Sequence, residues 1–354
     1  MRTPPILLTA IALSTATSLF AQTEVLTGVM RGKDYGVTYR LPKTEIVITV
    51  EITRHSYTPG ELCRYADKYL RTGQVASESS TWWTMDAVSA KGVGVPDKSN
   101  TYFVKLKDKT TAPLMELTKE GVVRSINLPY SGEDAGAQVV VPTPTTEPQP
   151  DPRQYFTEEM LMVGSTAKLA ELTAKEIYAI RESRNALVRG EADQMPTDGA
   201  QLKLMLDNLN EQENALKSLF VGQTTTETTT QTVRIVPREM TDKVAFRFSK
   251  ELGMLDKDNL AGDPIYISLT DLKALDIPEP TEDGKELTGI AYNVPVKGQL
   301  TLTYGRQKLY DGEMLITQFG VTEYLAAVLF NKNATTQVLF DVDTGGLLKV
   351  DRAN

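Results

Sequence analysis

Hydrophobic positions recur along the chain with two different periods. In EIVITVEI, residues 45–52, Ile46, Ile48, Val50 and Ile52 take every second place, as in a strand with one buried face. TYFVKLKD, LMELTKEGVVRSI, VRIVP, PIYISL, QLTLTY and QVLFDVDTGGLLKV read as further strands on the same grounds. From about Thr157 the period becomes helical. Leu169, Leu172, Ile177, Ile180 and Leu187 form one apolar stripe, and Leu202, Leu206, Leu209, Leu216 and Phe220 form a second. GEADQMPTDG (190–199) separates the two, Thr197 or Asp198 caps the second helix, and Gly222 stops it. Two such helices joined by a short polar loop are expected to fold back on each other. Short helices are expected at Gly60–Leu70 and Leu269–Leu275.

Two compositional breaks set the boundaries. VVVPTPTTEPQPDP (139–152) is proline-rich and suits an extended connector. TTTETTTQT (224–232) disfavours helix and suits an exposed strand or a stretched linker. The expected fold class is α+β, with two β-rich lobes flanking a long antiparallel α-helical hairpin. The expected segments are a signal peptide at 1–21, a β-rich domain at 22–138, a linker at 139–153, the hairpin at 154–222 and a second β-rich domain at 223–354.

The outer parts echo each other. GVTYRLP (36–42) returns as GIAYNVP (289–295), and MELTKEGVV (115–123) resembles FDVDTGGLL (340–348), in the same order. Val37, Tyr39 and Leu41 fall on one side of a strand, and Ile290, Tyr292 and Val294 do likewise. Pro42 and Pro295 are expected to end those strands, because proline cannot donate to a ladder. We read the echoes as a remote duplication, which makes Tyr39 and Tyr292 equivalent.

Composition narrows location and partners. MRTPPILLTAIALSTATSLFAQ reads as an export signal, with basic Arg2, an apolar core from Ile6 to Leu13 and a cut after Ala21. Its apolar run is too short to span a bilayer, and no later segment approaches a span. The expectation is an exported protein, periplasmic or at the cell surface or secreted. A formal charge of −8 with a sequence pI near 5.0 argues against nucleic acid as partner. The lone Cys63 excludes an internal disulfide, and its helical spacing with Leu62, Ala66 and Tyr69 suits a buried structural thiol.

Candidate chemistry is sparse. With one histidine, His55, neither a His-x-x-x-His zinc site nor a conventional triad with a Gly-x-Ser-x-Gly elbow can be assembled. Ser165-Thr166-Ala167-Lys168 matches Ser-x-x-Lys, but the companion Ser-Asp-Asn and Lys-Thr-Gly elements are absent. DKDNLAGD (256–263) has Leu260 and Ala261 where a calcium loop needs a ligand and a glycine, and DVDTGG (341–346) reads as a hairpin turn. KGVGVP (91–96) lacks the third glycine and the helix of a phosphate cradle. Alternation places one of Trp82 and Trp83 inside and the other outside. No catalytic, cofactor-binding or metal-binding residue is assigned.

The stretch IYAIRESRNALVRGEADQMPTDGAQLKLMLDNLNEQENALKSLFVG, with YGVTYRLPKT before it and GIAYNVP after it, resembles an exported Bacteroidales family known as domain of unknown function 4831. The resemblance implies an envelope or secreted protein and brings no site residues with it. The expected function is a non-enzymatic binding or assembly protein of the cell envelope, with an envelope protein or glycan as partner. The alternative is a hydrolase using paired carboxylates on envelope glycan or peptide. A cleft holding two carboxyls, one of them raised in pKa, favours the enzyme; an exposed apolar patch on a lobe or helix tip favours the binder.

Overall fold

The computed structural model describes residues 24–27, 36–105, 115–129, 150–275, 289–326, 329 and 336–352. The expected signal segment and residues 139–149 of the linker lie outside the described residues. The chain begins with β1 (Glu24–Thr27), β2 (Gly36–Thr58), the short helix α1 (Ala66–Leu70), β3 (Ser80–Lys105), β4 (Met115–Leu117) and β5 (Val123–Ile126). The helices α2 (Glu158–Leu161), α3 (Thr166–Arg189) and α4 (Gly199–Val221) follow. The remainder is β6 (Gln223–Ile235), β7 (Met240–Ser249), β8 (Gly253–Leu255), β9 (Asp263–Asp271), β10 (Gly289–Tyr304), β11 (Gln307–Ala326), β12 (Thr336–Phe340) and β13 (Leu347–Arg352).

Three sheets result, ordered β1-β3-β2-β6, β11-β10-β9-β7-β8 and β13-β12-β5-β4. The first two face each other. Ile46, Ile48, Val50 and Ile52 of β2 pack on Phe246, Phe248, Ile265, Ile267, Leu300 and Leu302, all buried. The period-2 apolar face of EIVITVEI is thus one wall of a sandwich. A second core joins the starts of β2 and β10 to the third sheet, through Tyr39, Leu41, Val123, Ile126, Ile290, Val338 and Phe340. Strands from before and after the helices share the first and third sheets, so the two halves of the chain interleave instead of forming separate lobes.

Several sequence expectations are corrected. Pro42 and Pro295 do not end strands; each lies inside a long one, β2 or β10. The missing N–H is accommodated at a bulge: residues 41–42 oppose 96–100 on β3, and 294–295 oppose 317–321 on β11. Leu269–Leu275 is not helical, because Leu269 is a core residue of β9, paired with Leu300. Residues 60–70 form a 3-10 turn, Cys63–Tyr65, before the five-residue α1. The helical stretch from Thr157 breaks between α2 and α3, where Ser165 caps the longer helix. The threonine-rich stretch, expected as an exposed strand or a linker, takes the first form as β6.

The duplicated pattern extends to backbone geometry. Gly36 faces Lys105 as Gly289 faces Ala326, Arg40 faces Thr101 as Asn293 faces Thr322, and Lys43 faces Val95 as Val296 faces Ile316. The bulges fall within one residue of each other in the two hairpins, leaving Leu41 unpaired in one and Pro295 in the other. In the turn after β4, the Thr118 hydroxyl accepts from the N–H groups of Glu120 and Val122. In the turn after β12, the Asp341 carboxylate accepts from Asp343 and Thr344. Gly121 and Gly345 both have left-handed φ, 84° and 71°. Arg40 N–H donates to the Gly121 carbonyl at 2.8 Å, and Asn293 N–H to the Gly345 carbonyl at 3.0 Å. The burial does not repeat: Tyr39 is fully buried, whereas Tyr292 is half-buried and Ala291 and Asn293 face inward. The two hairpins meet through opposite faces.

The helices form the third core. Ala170, Ala174, Ile177 and Ile180 of α3 and Leu216, Leu219 and Phe220 of α4 close over Leu62 and Ala66. Tyr57 donates its hydroxyl to the Val221 carbonyl, and Leu62 N–H donates to the Leu219 carbonyl, which fastens this end to β2. Arg181 and Arg184 of α3 meet Glu213, and Arg184 meets Asn210 of α4, so the two helices run antiparallel. Among the described residues, no helix is long and apolar enough to cross a membrane.

Candidate functional site

The far end of the α3–α4 pair is built differently from its base. Buried apolar residues on α4 begin only at Ala215, and on α3 just Leu187 is buried beyond Ile180. Toward the 190–198 turn few residues of either helix are buried. Val188 is 67% exposed and Leu204 62%, and Met195 and Met205 also face solvent. A hollow of about 530 Å³ opens at this end, floored by Ala186, Leu187, Met205 and Leu209 and edged by Glu191 and Asp193, and of the four exposed residues Met205 lines it. Four large apolar side chains are thus exposed toward one end of the helix pair, and exposed apolar surface is a mark of interaction sites when it gathers in one region.

One ion cluster holds the tip in place. Glu213, nearly buried, accepts from Arg181 Nε at 2.6 Å and from an Arg184 guanidinium nitrogen at 2.6 Å. Burial opposes ionisation of Glu213, but the two guanidiniums outweigh it and hold its carboxyl below the usual range. Asp198 caps α4 by accepting from Gln201 N–H at 2.7 Å. Gly190, with φ 75°, ends α3.

A second concavity of about 1240 Å³ lies where β6 leaves the first sheet and crosses to β7. Val233, Ile235, Met254 and Phe246 form its apolar wall. Exposed Arg234, Arg238, Lys243 and Lys257 outnumber Asp256 and Asp258 around it.

The residues weighed from the sequence take structural roles. Ser165 accepts from Lys168 N–H at 3.3 Å as the cap of α3, while Lys168 Nζ turns to Glu171 at 3.2 Å. The lysine is engaged away from the hydroxyl it would have to activate. His55 Nε2 lies 2.9 Å from Thr84 Oγ1, and Thr84 donates to Asp86. Thr84 therefore accepts from the histidine, the reverse of a base drawing a proton from a nucleophile. Thr53 also donates to Asp86, which extends this polar network across the outer face of the first sheet. Trp82 stacks on His55 at 5.1 Å, and Trp83 joins the sandwich core on the opposite face.

In DKDNLAGD the carbonyls of Lys257 and Gly262 accept from Arg247, whose guanidinium occupies the inside of the loop. In DVDTGG, Asp341 closes its own turn and Asp343 accepts from Gly94 N–H. Gly94 of KGVGVP sits against the Asp343 backbone, where a Cβ would not fit. Cys63 is half-buried and unpaired by disulfide. Among the described residues, no group of three or more His, Cys, Asp or Glu side chains is placed to hold a metal ion.

The tip was not singled out from the sequence. Its signal was present in Val188, Met195, Leu204 and Met205, apolar residues outside the two main stripes.

Fold and surfaces together define an α+β protein: a β sandwich, a smaller third sheet and an anchored pair of long helices with an apolar tip. The chain belongs to the family described as domain of unknown function DUF4831, which matches residues 35–348. No curated protein matches the chain. No solved structure matches it either.

Proposed function

We propose that this is an exported, non-enzymatic binding or assembly protein of the bacterial cell envelope, which engages its partner through the α3–α4 tip. The observation that carries the proposal is the solvent exposure of Val188, Met195, Leu204 and Met205 toward the free end of a helix pair anchored at its base, beside a hollow that Met205 lines. Burying such side chains against a partner is favourable by roughly 25 cal/mol per Å² of apolar surface, and the anchored base means little order must be gained on binding. Export rests on the N-terminal segment MRTPPILLTAIALSTATSLFAQ, and the bacterial group, Bacteroidales, on the motif resemblance.

The carboxylate-dependent alternative has no comparable support. The described carboxyls with clear shifts, Glu171, Glu213, Asp311 and Asp351, all move down, away from a protonated general acid.

The test is affinity capture from envelope extracts with the full chain and with its Leu204→Glu/Val188→Glu variant. A partner retained by the natural chain and lost by an equally well-folded variant supports the tip. Equal retention by both places binding elsewhere.

A further inference from the structure

We propose that the outer edge of β6, with the cleft at its C-terminal end, docks an extended peptide strand that carries apolar side chains and acidic residues. This site is separate from the helical tip, so either can fail without the other.

β6 is a 13-residue strand paired with β2 in unbroken register from Gln223 to Ile235. No described strand pairs with its other side. A free edge presents a row of unpaired N–H and C=O groups, and proteins blunt such edges by shortening, bulging, charging or covering them. Other described edges are treated in these ways, and the outer side of β3, which β1 pairs only at Tyr102–Lys105, carries Lys91, Pro96, Asp97 and Lys98. β1, β4 and β8 have four, three and three residues. β7 is broken by register shifts at Met240/Lys243 and Val244/Phe246. β13 carries Lys349, Asp351 and Arg352. β11 is tied to β2, where Gln318 donates to the Thr44 carbonyl and the Thr44 and Thr317 hydroxyls meet.

β6 is more weakly protected, with Glu227 and Arg234 as its charged positions and no described strand over it. It contains no proline and no bulge, and its sequence QTTTETTTQTVRI is mostly β-branched threonine, which favours strand pairing. The cleft adjoins its last residues. There Val233, Ile235 and Phe246 offer an apolar pocket to alternate side chains of an added strand. Arg238, Lys243 and Lys257 exceed Asp256 and Asp258 on the rim by one charge, and Arg234 pairs with Glu45, so the rim is mildly cationic on a chain whose overall formal charge is −8 and favours acidic residues. Strand addition gains affinity from main-chain hydrogen bonds and specificity from such side-chain pockets.

The test uses the full chain and a fluorescein-labelled peptide of alternating valine and glutamate. Its controls are the same peptide N-methylated at alternate bonds and a valine–lysine peptide. Saturable binding is expected for the first, weakened about tenfold or more for both controls. Binding should weaken similarly in the Arg238→Glu/Lys257→Glu variant, both changes being at exposed side chains, and amide exchange along β6 should slow when peptide is added. Absent saturable binding, or binding indifferent to N-methylation and to the charge reversal, overturns the proposal. So does full exchange protection of β6 in the free chain, or a β6-mediated dimer of the chain, since either means the edge is already taken.

Discussion

The phenolic oxygen of Tyr39 accepts a hydrogen bond from Ala291 N–H at 2.8 Å and donates to the Ala291 carbonyl at 3.3 Å. Two stretches that echo each other in the sequence, GVTYRLP and GIAYNVP, therefore touch in the fold. Asn293 completes the junction by donating to the Pro42 carbonyl at 2.8 Å. Burial, only partly offset by the Ala291 backbone bond, keeps the Tyr39 phenol protonated far above its ordinary range.

Tyr39 and Tyr292 should differ in worth although they are equivalent in register. Tyr39→Phe leaves Ala291 N–H unpaired in the core and should cost about 1–3 kcal/mol. Tyr39→Ala should cost about 4 kcal/mol, and Tyr292→Ala roughly half of that, because the Tyr292 ring is half-exposed. Urea unfolding of the three variants checks the order.

The turn glycines provide a second comparison within the repeat. Gly121 has open space where a Cβ would go, whereas at Gly345 a Cβ would meet Pro42 and Asn293. Gly121→Ala should cost only the left-handed strain, about 1 kcal/mol. Gly345→Ala should cost about 2–3 kcal/mol, adding overpacking to that strain. Thermal melts of both variants separate the two cases.

Glu213 ties stability to pH. Its carboxyl is held below its unfolded value, so its contribution is fully present above the unfolded pKa of about 4.3 and fades as pH falls through the folded pKa. Acidification should loosen the α3–α4 tip before the sandwich cores. Glu213→Gln should remove that part of the acid sensitivity and lower neutral-pH stability by about 2 kcal/mol, since both arginines are partly solvated. Amide exchange in α4 as a function of pH reads both effects.

Ser165→Ala should cost about 1 kcal/mol through loss of the α3 cap. A fluorophosphonate or β-lactam should label neither the natural chain nor the variant, because Lys168 is paired with Glu171.

Local periodicity foretold the parts of the fold that depend on nearest neighbours. Ile46 to Ile52 and the stripes on α3 and α4 declare their buried faces within a few residues. Pairing between distant segments left no such mark. Nothing in TTTETTTQT says that β6 returns to β2, and nothing in the prolines says that a bulge lets the strand continue past them. Register was legible through the repeat, but the inward face was not, because Tyr39 and Tyr292 occupy equivalent positions on hairpins that meet through opposite sides. At the tip, Leu204 and Val188 look like ordinary helix residues until the packing shows that nothing described covers them.

The most direct test of the tip as a binding surface is photo-crosslinking in the cells that naturally make the chain, with benzoylphenylalanine placed at Leu204 and, separately, at Leu260. Both positions are highly exposed, 62% and 81%, but Leu260 lies on the β8–β9 loop away from the tip. The expected result is a discrete adduct from position 204 that vanishes when Val188→Glu is added, and none from position 260. Equal adducts from both positions, or no adduct at 204 in a folded chain, would contradict a partner at the tip.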